Sequence, residues 1–160
     1  MRSKLGNICE YVKGKTPVSE LTEKNYVSTE SMIPNRGGIT LASSLPTTET
    51  TQIYRTGDVL ISNIRPYFKK IWYALENGGC SNDVLVLRAK PQTDSRFLYY
   101  ALSDDRFFDY TMATSHGAKM PRGDKSAIMQ YEIDVPSLED QRKIAKLLSA
   151  LDKKSSLIRQ

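Results

Sequence analysis

Few residues in this chain are of types that carry covalent or metal chemistry. Its 160 residues include one histidine, His116, and two cysteines, Cys9 and Cys80, which form no CxxC pair. A zinc site usually draws on several of these residues and a Ser-His-Asp triad depends on a histidine, so a single histidine leaves little material for either. The sequence GKT at residues 14–16 resembles the end of a phosphate-binding loop, but Cys9 stands where that loop needs its first glycine. We therefore expect no catalytic residue, no metal site and no nucleotide site in this chain.

Cations and aromatic rings are concentrated in two stretches of a chain whose net charge is +5. The first stretch is RPYFKK at residues 65–70, and the second, at residues 115–125, is basic and contains two glycines. Lys and Arg can neutralise phosphates, aromatic rings can stack or wedge in a groove, and Asn can pair with adenine. The alternatives are a solvated turn whose rings point to the core, and a mobile connection. The candidate DNA-contacting residues are Asn35, Arg36, Asn63, Arg65, Tyr67, Lys69, Lys70, His116, Lys119, Arg122 and Lys125.

Continuous apolar runs predict the strands that position these stretches. Residues 59–64 read as a buried strand, residues 71–74 as its partner, and residues 83–88 as a further strand. The pair Gly78-Gly79 is predicted to turn the chain between the last two. Residues 21–52, rich in Thr, Ser, Asn, Gly and Pro, are expected to form short strands joined by long loops.

From Ser95 the apolar period becomes helical, and a second helical turn follows Asp104-Asp105. A last strand at residues 131–135 ends at Pro136. Because strands and helices are segregated along the chain, the fold class is predicted to be α+β, a mixed, strand-rich globular domain.

A long helix is predicted over residues 137–160. Ser137 is a suitable N-cap, and acidic residues occupy the first turn. Apolar residues then recur at alternating spacings of four and three, as in the seam of a coiled coil. An amphipathic helix folded back on its own domain is the alternative. The predicted helix-pairing residues are Ile144, Leu148, Leu151 and Ile158.

Several blocks of this sequence resemble the target-recognition domain of type I restriction-modification specificity subunits. They are KLGNI at residues 4–8, GKTP at 14–17, GDVLISNIRPY at 57–67, CSNDVLVL at 80–87, FLYYAL at 97–102, SHGAKMPRGD at 115–124 and VPSLEDQRKIAKLLSALD at 135–152. The last block resembles the start of that family's spacer helix. The resemblance therefore divides the chain into a recognition domain, residues 1–136, and the start of a spacer and dimerisation helix, residues 137–160.

The resemblance implies a non-catalytic subunit that reads double-stranded DNA. It implies methyltransferase subunits carrying S-adenosylmethionine and restriction subunits using ATP and Mg²⁺ as partners, with no cofactor in this chain. The residues themselves predict a cytoplasmic protein without a membrane segment, because the N-terminus lacks the apolar core of a signal peptide and no apolar run approaches the roughly 20 residues of a membrane span. Full subunits of the family have two recognition domains and two helices, so this chain is expected to be a half-subunit or a fragment. Two copies pairing through the terminal helix would read a palindromic interrupted site. The alternative function is a protein-interaction module that acts through that helix without reading DNA.

Overall fold

Ten short strands and four α-helices are formed in a computed structural model, which describes the backbone of residues 1–159 and the side chains of residues 1–153. The strands are β1 Arg2–Lys4, β2 Cys9–Tyr11, β3 Lys15–Pro17, β4 Tyr26–Val27, β5 Thr50–Tyr54, β6 Val59–Ser62, β7 Ile71–Tyr73, β8 Gly78–Cys80, β9 Val84–Ala89 and β10 Glu132–Asp134. The helices are α1 Ser95–Leu102, α2 Asp105–Ala113, α3 Lys125–Met129 and α4 Leu138–Arg159. The α+β prediction is confirmed.

An antiparallel sheet in the order β2-β9-β6-β7 forms the middle layer of the fold. On β6, Val59 and Ile61 contact the core shared with α1 and α2, whereas Leu60 contacts the core shared with a second sheet. Strand β9 alternates in the same way between these two cores. Both faces of the sheet are covered, which is why its strands read as continuous apolar runs in the sequence.

The second sheet has the order β3-β5-β8-β4, with β4 and β8 parallel. The predicted turn at Gly78-Gly79 is wrong, because both glycines lie within β8. A Cβ atom at Gly78 would stand 2.1 Å from the carbonyl oxygen of Asn25 and 2.6 Å from Oη of Tyr54. Gly78 is therefore required for the close approach of neighbouring chain segments, which is a second common use of glycine in strands.

Polar side chains cap the first turns of α1, α2 and α4, and the predicted cap Ser137 is one of them. Asp94 caps α1, Asp104 caps α2, and the Ser137 hydroxyl accepts a 3.2 Å hydrogen bond from the amide of Asp140 in the first turn of α4. Strand β1 pairs with β10, so the start of the chain lies beside the strand that leads into α4. Within residues 1–159, no helix is both long enough and apolar enough to cross a membrane.

Helix α4 packs on α1 along its first four turns. Gln141 and Ala145 are buried there, and the Tyr100 hydroxyl donates a 2.7 Å hydrogen bond to Oδ2 of Asp152. Of the predicted pairing residues, Ile144 and Leu151 are exposed, Leu148 is half-buried, and the side chain of Ile158 lies outside the described residues. The helix thus packs on its own domain along one face and leaves an apolar row on another. The division of the chain at residue 136 stays a prediction.

Candidate nucleic-acid interface

Three loops meet at the end of the middle sheet where β6 ends and β9 begins. We call residues 33–38 loop 1, residues 63–70 loop 2 and residues 115–124 loop 3, and the surface that they form the loop face. Loop 2 leaves the sheet directly after β6, and the amide of Asn63 donates to the carbonyl oxygen of Asp83 at 2.8 Å. The most deeply packed strands of the fold therefore fix where loop 2 begins.

Loops 1 and 2 are joined through their backbones. The amide of Asn35 donates to the carbonyl oxygen of Phe68, and that of Arg36 donates to the carbonyl oxygen of Lys69, both at 2.8 Å. Asn35, Arg36, Arg65 and Lys69 have φ values of 56°, 62°, 50° and 53°, and they are the only non-glycine residues with positive φ in the part of the chain that the structure describes. Each such residue costs roughly 1–2 kcal/mol. Strain of this kind persists only where the surroundings over-determine it, and it is characteristic of functional sites.

Loop 3 is closed on itself and docked on loop 2. His116 and Arg122 exchange backbone hydrogen bonds of 2.9 and 2.8 Å, which close the segment between them and leave the side chains of Lys119 and Met120 exposed at its tip. The amide of Arg65 donates to the carbonyl oxygen of Pro121 at 2.8 Å. Loop 3, which the sequence predicted from its glycines, is thus closed by backbone hydrogen bonds at its base and attached to loop 2. Its exposed tip therefore has a defined position on the loop face.

Asp105, in the first turn of α2, connects loops 1 and 2 through their side chains. Its carboxylate accepts a hydrogen bond from Arg36 and one from Nζ of Lys69 at 2.8 Å. Lys69 and then Arg36 lower the pKa of Asp105 below its ordinary value, so the group is ionised at neutral pH. Nε of Arg36 also donates to the carbonyl oxygen of Ser103 at 2.5 Å, and its guanidinium lies 5.6 Å from the centroid of Phe108.

Two further predicted residues are paired with carboxylates. Nη1 of Arg122 lies 2.6 Å from Oδ1 of Asp83, and Nε2 of His116 lies 2.8 Å from Oδ2 of Asp124. Asp124 also caps α3, accepting a 2.9 Å hydrogen bond from the amide of Ala127. The contact with His116, followed by this cap, lowers the pKa of Asp124. Both pairs are partly exposed, so DNA phosphates can compete with the carboxylates for these side chains.

Loop 2 presents two aromatic side chains to solvent. Tyr67 is 45% exposed and Phe68 is 38% exposed, with ring centroids 4.8 Å apart, so the alternative in which these rings enter the core does not hold. Nζ of Lys70 lies 5.5 Å from the centroid of Phe68 and donates to the carbonyl oxygen of Thr29 at 2.8 Å. Exposed rings among cations can stack on bases or wedge into a groove.

Asn63 and Arg65 each hold a buried polar atom without a hydrogen-bond partner among the described residues, Oδ1 of Asn63 and Nε of Arg65. A Cβ atom on Gly123 would stand 2.6 Å from Oδ1 of Asn63, so loops 2 and 3 are in close contact at this point. The amide oxygen of Asn63 therefore faces the protein rather than the exposed surface. Such atoms are rare in native structures and mark positions where geometry is set by other constraints.

The structure brings ten of the eleven predicted residues onto the loop face, and Lys125 lies at its border. Lys125 begins α3, and its Nζ lies 4.8 Å from the ring centroid of Tyr11. Sequence reasoning missed the three carboxylates Asp83, Asp105 and Asp124. No local pattern identifies Asp83 and Asp105, because Arg122 lies 39 positions from Asp83 and Arg36 lies 69 positions from Asp105. Asp124 lies only eight positions from His116 and caps α3, so a local signal was present there. Contact with DNA stays a prediction for each candidate residue.

The two cysteines lie in the cores and away from the loop face. Burial raises the pKa of both thiols to about 12, so Cys9 and Cys80 are protonated at neutral pH. The thiolate is the reactive form of cysteine, so these side chains act as small apolar groups. Among the described residues, no three His, Cys, Asp or Glu side chains are grouped as metal ligands.

Comparison with known proteins identifies the family. Residues 1–160 match the family profile described as type I restriction modification DNA specificity domain. The chain belongs to this family. A specificity subunit of the type I restriction enzyme MjaVIII from Methanocaldococcus jannaschii is 28% identical over 93% of the chain, and that of EcoDI from Escherichia coli is 26% identical over 61%. These matches span only 35% and 22% of the two relatives, so the chain covers well under half of the length of either.

Solved structures of specificity subunits share the fold. The HsdS subunit from Thermoanaerobacter tengcongensis matches 99% of the chain with a TM-score of 0.76 and 23% identity, and the match covers 43% of that subunit. The S subunit from M. genitalium matches with a TM-score of 0.67 and 20% identity over 41% of its length. The specificity domain thus has the strand-rich body and terminal helix that the sequence predicted.

Proposed function

We propose that this specificity domain reads one part of an interrupted DNA site and directs partner subunits of a type I restriction-modification system to it. The loop face carries the proposal. Its three loops contain six Lys and Arg residues and one Asp, and they display Tyr67 and Phe68 between cations. Charge supplies affinity for the phosphate backbone, whereas defined loop geometry supplies the contacts that distinguish bases.

The backbone hydrogen bonds between the loops support base reading over simple attraction to a polyanion. A polyanion site needs only net positive charge, which mobile lysines provide. On the loop face, by contrast, four residues adopt strained backbone conformations where the loops are held together. Preorganised contacts lose less entropy on binding, so geometry of this kind favours discrimination between sequences.

Partner subunits are part of the proposal. Methyltransferase subunits would supply S-adenosylmethionine and restriction subunits ATP and Mg²⁺, and this chain would hold no cofactor, perform no catalysis and act in the cytoplasm. The apolar row on α4, formed by Ile144, Leu147 and Leu151, is exposed in the chain by itself. A partner helix, from a second copy or from the rest of a longer subunit, would cover that row and set the distance between two recognition domains.

The test is selection from a random duplex library by the purified chain together with its cognate methyltransferase subunit, at two salt concentrations. We expect enrichment of a short sequence and an affinity that falls steeply with salt. An interrupted palindrome would indicate two paired copies, and a single short element would indicate one reading unit. Retention of the methyltransferase subunit without any enrichment, at either salt, would replace DNA reading by the alternative function, an interaction module acting through α4.

A further inference from the structure

We propose that Asp105 is a positioning residue that locks loop 1 to loop 2 and, by offsetting one of the two positive charges of Arg36 and Lys69, suppresses sequence-independent attraction to DNA. The inference rests on the proposed function of the loop face and deepens it. It assigns to one carboxylate a role in setting the ratio of specific to non-specific DNA affinity. Cations and aromatic rings alone do not set this ratio.

The carboxylate is presented by a rigid element. Asp105 follows the N-cap Asp104 on α2, and Phe107 and Phe108, in the same turn of that helix, are fully buried in the core. The cations come from loops that are 33 positions apart in the sequence, since Arg36 lies on loop 1 and Lys69 on loop 2. Besides the backbone hydrogen bonds between the loops, this one acceptor fixed by the core therefore holds the two cationic side chains together.

The lock acts where the backbone is strained. Arg36 and Lys69 both have positive φ, and they are joined by one of the two backbone hydrogen bonds between the loops. A strained residue relaxes when its constraints are reduced. Loss of the two side-chain contacts reduces the constraint at both strained partners of that bond, so loop 1 should separate from loop 2 more often.

A carboxylate at this position lowers the affinity of the loop face for DNA. It lies among the cations of a surface that meets phosphates, and it occupies two of them in the free protein. Removing its charge should strengthen binding to any duplex, because the loop face gains one net positive charge. The same change should weaken discrimination, because the loops that would read bases are no longer held together. A residue that served only the stability of the fold would not produce these two effects with opposite signs.

The test compares the wild-type chain with Asp105→Asn, Asp105→Glu and Asp109→Asn. Asp109 lies on the same helix one turn later, is exposed, and forms none of the ion pairs found among the described residues, so D109N makes the same change in charge without touching the lock. Dissociation constants are measured, in the presence of the methyltransferase subunit, for the selected duplex and for a scrambled duplex at two salt concentrations.

For D105N we expect scrambled DNA to bind roughly threefold to tenfold tighter, with a salt slope steeper by about 1. The ratio of the two dissociation constants should fall by about tenfold. D109N should leave that ratio unchanged, and D105E should restore most of it. A D105N variant with the ratio of D109N overturns the inference alone, whereas a wild-type chain that does not discriminate overturns the proposed function and this inference with it.

A second readout needs no DNA. Hydrogen exchange of the Asn35 and Arg36 amides reports directly on the bonds between loops 1 and 2. We expect both amides to exchange at least tenfold faster in D105N than in D109N, while amides in β6 and β9 exchange equally in the two variants. Equal exchange at Asn35 and Arg36 would show that Asp105 does not lock the loops.

Discussion

The two ends of the middle sheet each contain an aspartate paired with basic side chains, in opposite surroundings. At the end opposite the loop face, Asp58 is only 2% exposed and accepts two 2.8 Å hydrogen bonds from Arg88 of the adjacent strand. At the loop face, Asp105 is 63% exposed and is shared by Arg36 and Lys69. The first pair lies within the packed sheet, and the second joins loops on its surface. An aspartate paired with basic side chains therefore stabilises the fold at one end of the sheet and fixes the positions of the loops at the other.

The buried end is also where α4 joins the body. Gln141 is almost fully buried, with Oε1 accepting a 2.8 Å hydrogen bond from the amide of Asp94 and Nε2 donating to the carbonyl oxygen of Pro136 at 3.0 Å. The side chain of Gln141 thus links α4 to the start of α1 and to the segment that follows β10. Changes at this end should alter unfolding, whereas changes at the loop face should alter DNA binding.

Asp58→Ala should have the largest effect on stability. It leaves the half-buried guanidinium of Arg88 without its partner and removes the acceptor of the Arg55 amide, which donates to Asp58 at 2.9 Å. We expect the free energy of unfolding to fall by about 3 kcal/mol. Urea denaturation measures this loss, with Asp109→Ala as the exposed control. A loss below about 1 kcal/mol would contradict the distinction between the two ends.

Gln141→Leu should have the next largest effect. The substitution keeps the volume of the side chain but leaves the Asp94 amide and the Pro136 carbonyl oxygen without partners. We expect a loss of about 2 kcal/mol in the free energy of unfolding. Arg142→Leu, at the exposed neighbouring position, is the control in the same denaturation experiment. Equal stability of the two variants would show that α4 is attached by its apolar contacts alone.

Local signals explain which parts of the fold could be predicted. Apolar runs identified β6 and β9, the helical period identified α1, and the capping residue Ser137 stands at the start of α4. These patterns depend on neighbours within a few residues. Composition also identified loops 2 and 3, because cations and aromatic rings are concentrated there, whereas loop 1 was not recognised as part of the same surface.

Contacts between distant residues explain what could not be predicted. Arg36 and Asp105 are 69 positions apart, so no periodicity or spacing connects them. The role of Gly78 was missed for the same reason, since the atoms that exclude a side chain belong to Asn25 and Tyr54. Both misses concern places where the tertiary fold, and not the local sequence, determines what a residue does.

Gly123→Ala tests whether the close packing between loops 2 and 3 contributes to stability and to DNA binding. A Cβ atom there would stand 2.6 Å from Oδ1 of Asn63 and 3.0 Å from Cγ2 of Thr111. We expect a loss of about 1 kcal/mol in stability from this overpacking, together with weaker discrimination between duplexes because loop 3 must shift from loop 2. Ser126→Ala, at an exposed position nearby, is the control. A variant with wild-type stability and wild-type discrimination would indicate that loops 2 and 3 adjust without consequence.

Arg122→Ala should have the smallest effect on stability. Its ion pair with Asp83 is half exposed, so we expect the free energy of unfolding to change by less than about 0.5 kcal/mol. Binding to DNA should nevertheless weaken, and the salt slope should decrease by about 1 if Arg122 contacts a phosphate. If Arg122 contacts a base, discrimination should fall by about 1–3 kcal/mol at one position of the site while the salt slope stays unchanged.

The control is Lys143→Ala, on the exposed side of α4. It removes an equal charge far from the loop face and should change neither DNA affinity nor the salt slope. Equal binding by both variants would remove loop 3 from the DNA-reading surface and leave that role to loops 1 and 2, which Asp105 holds together.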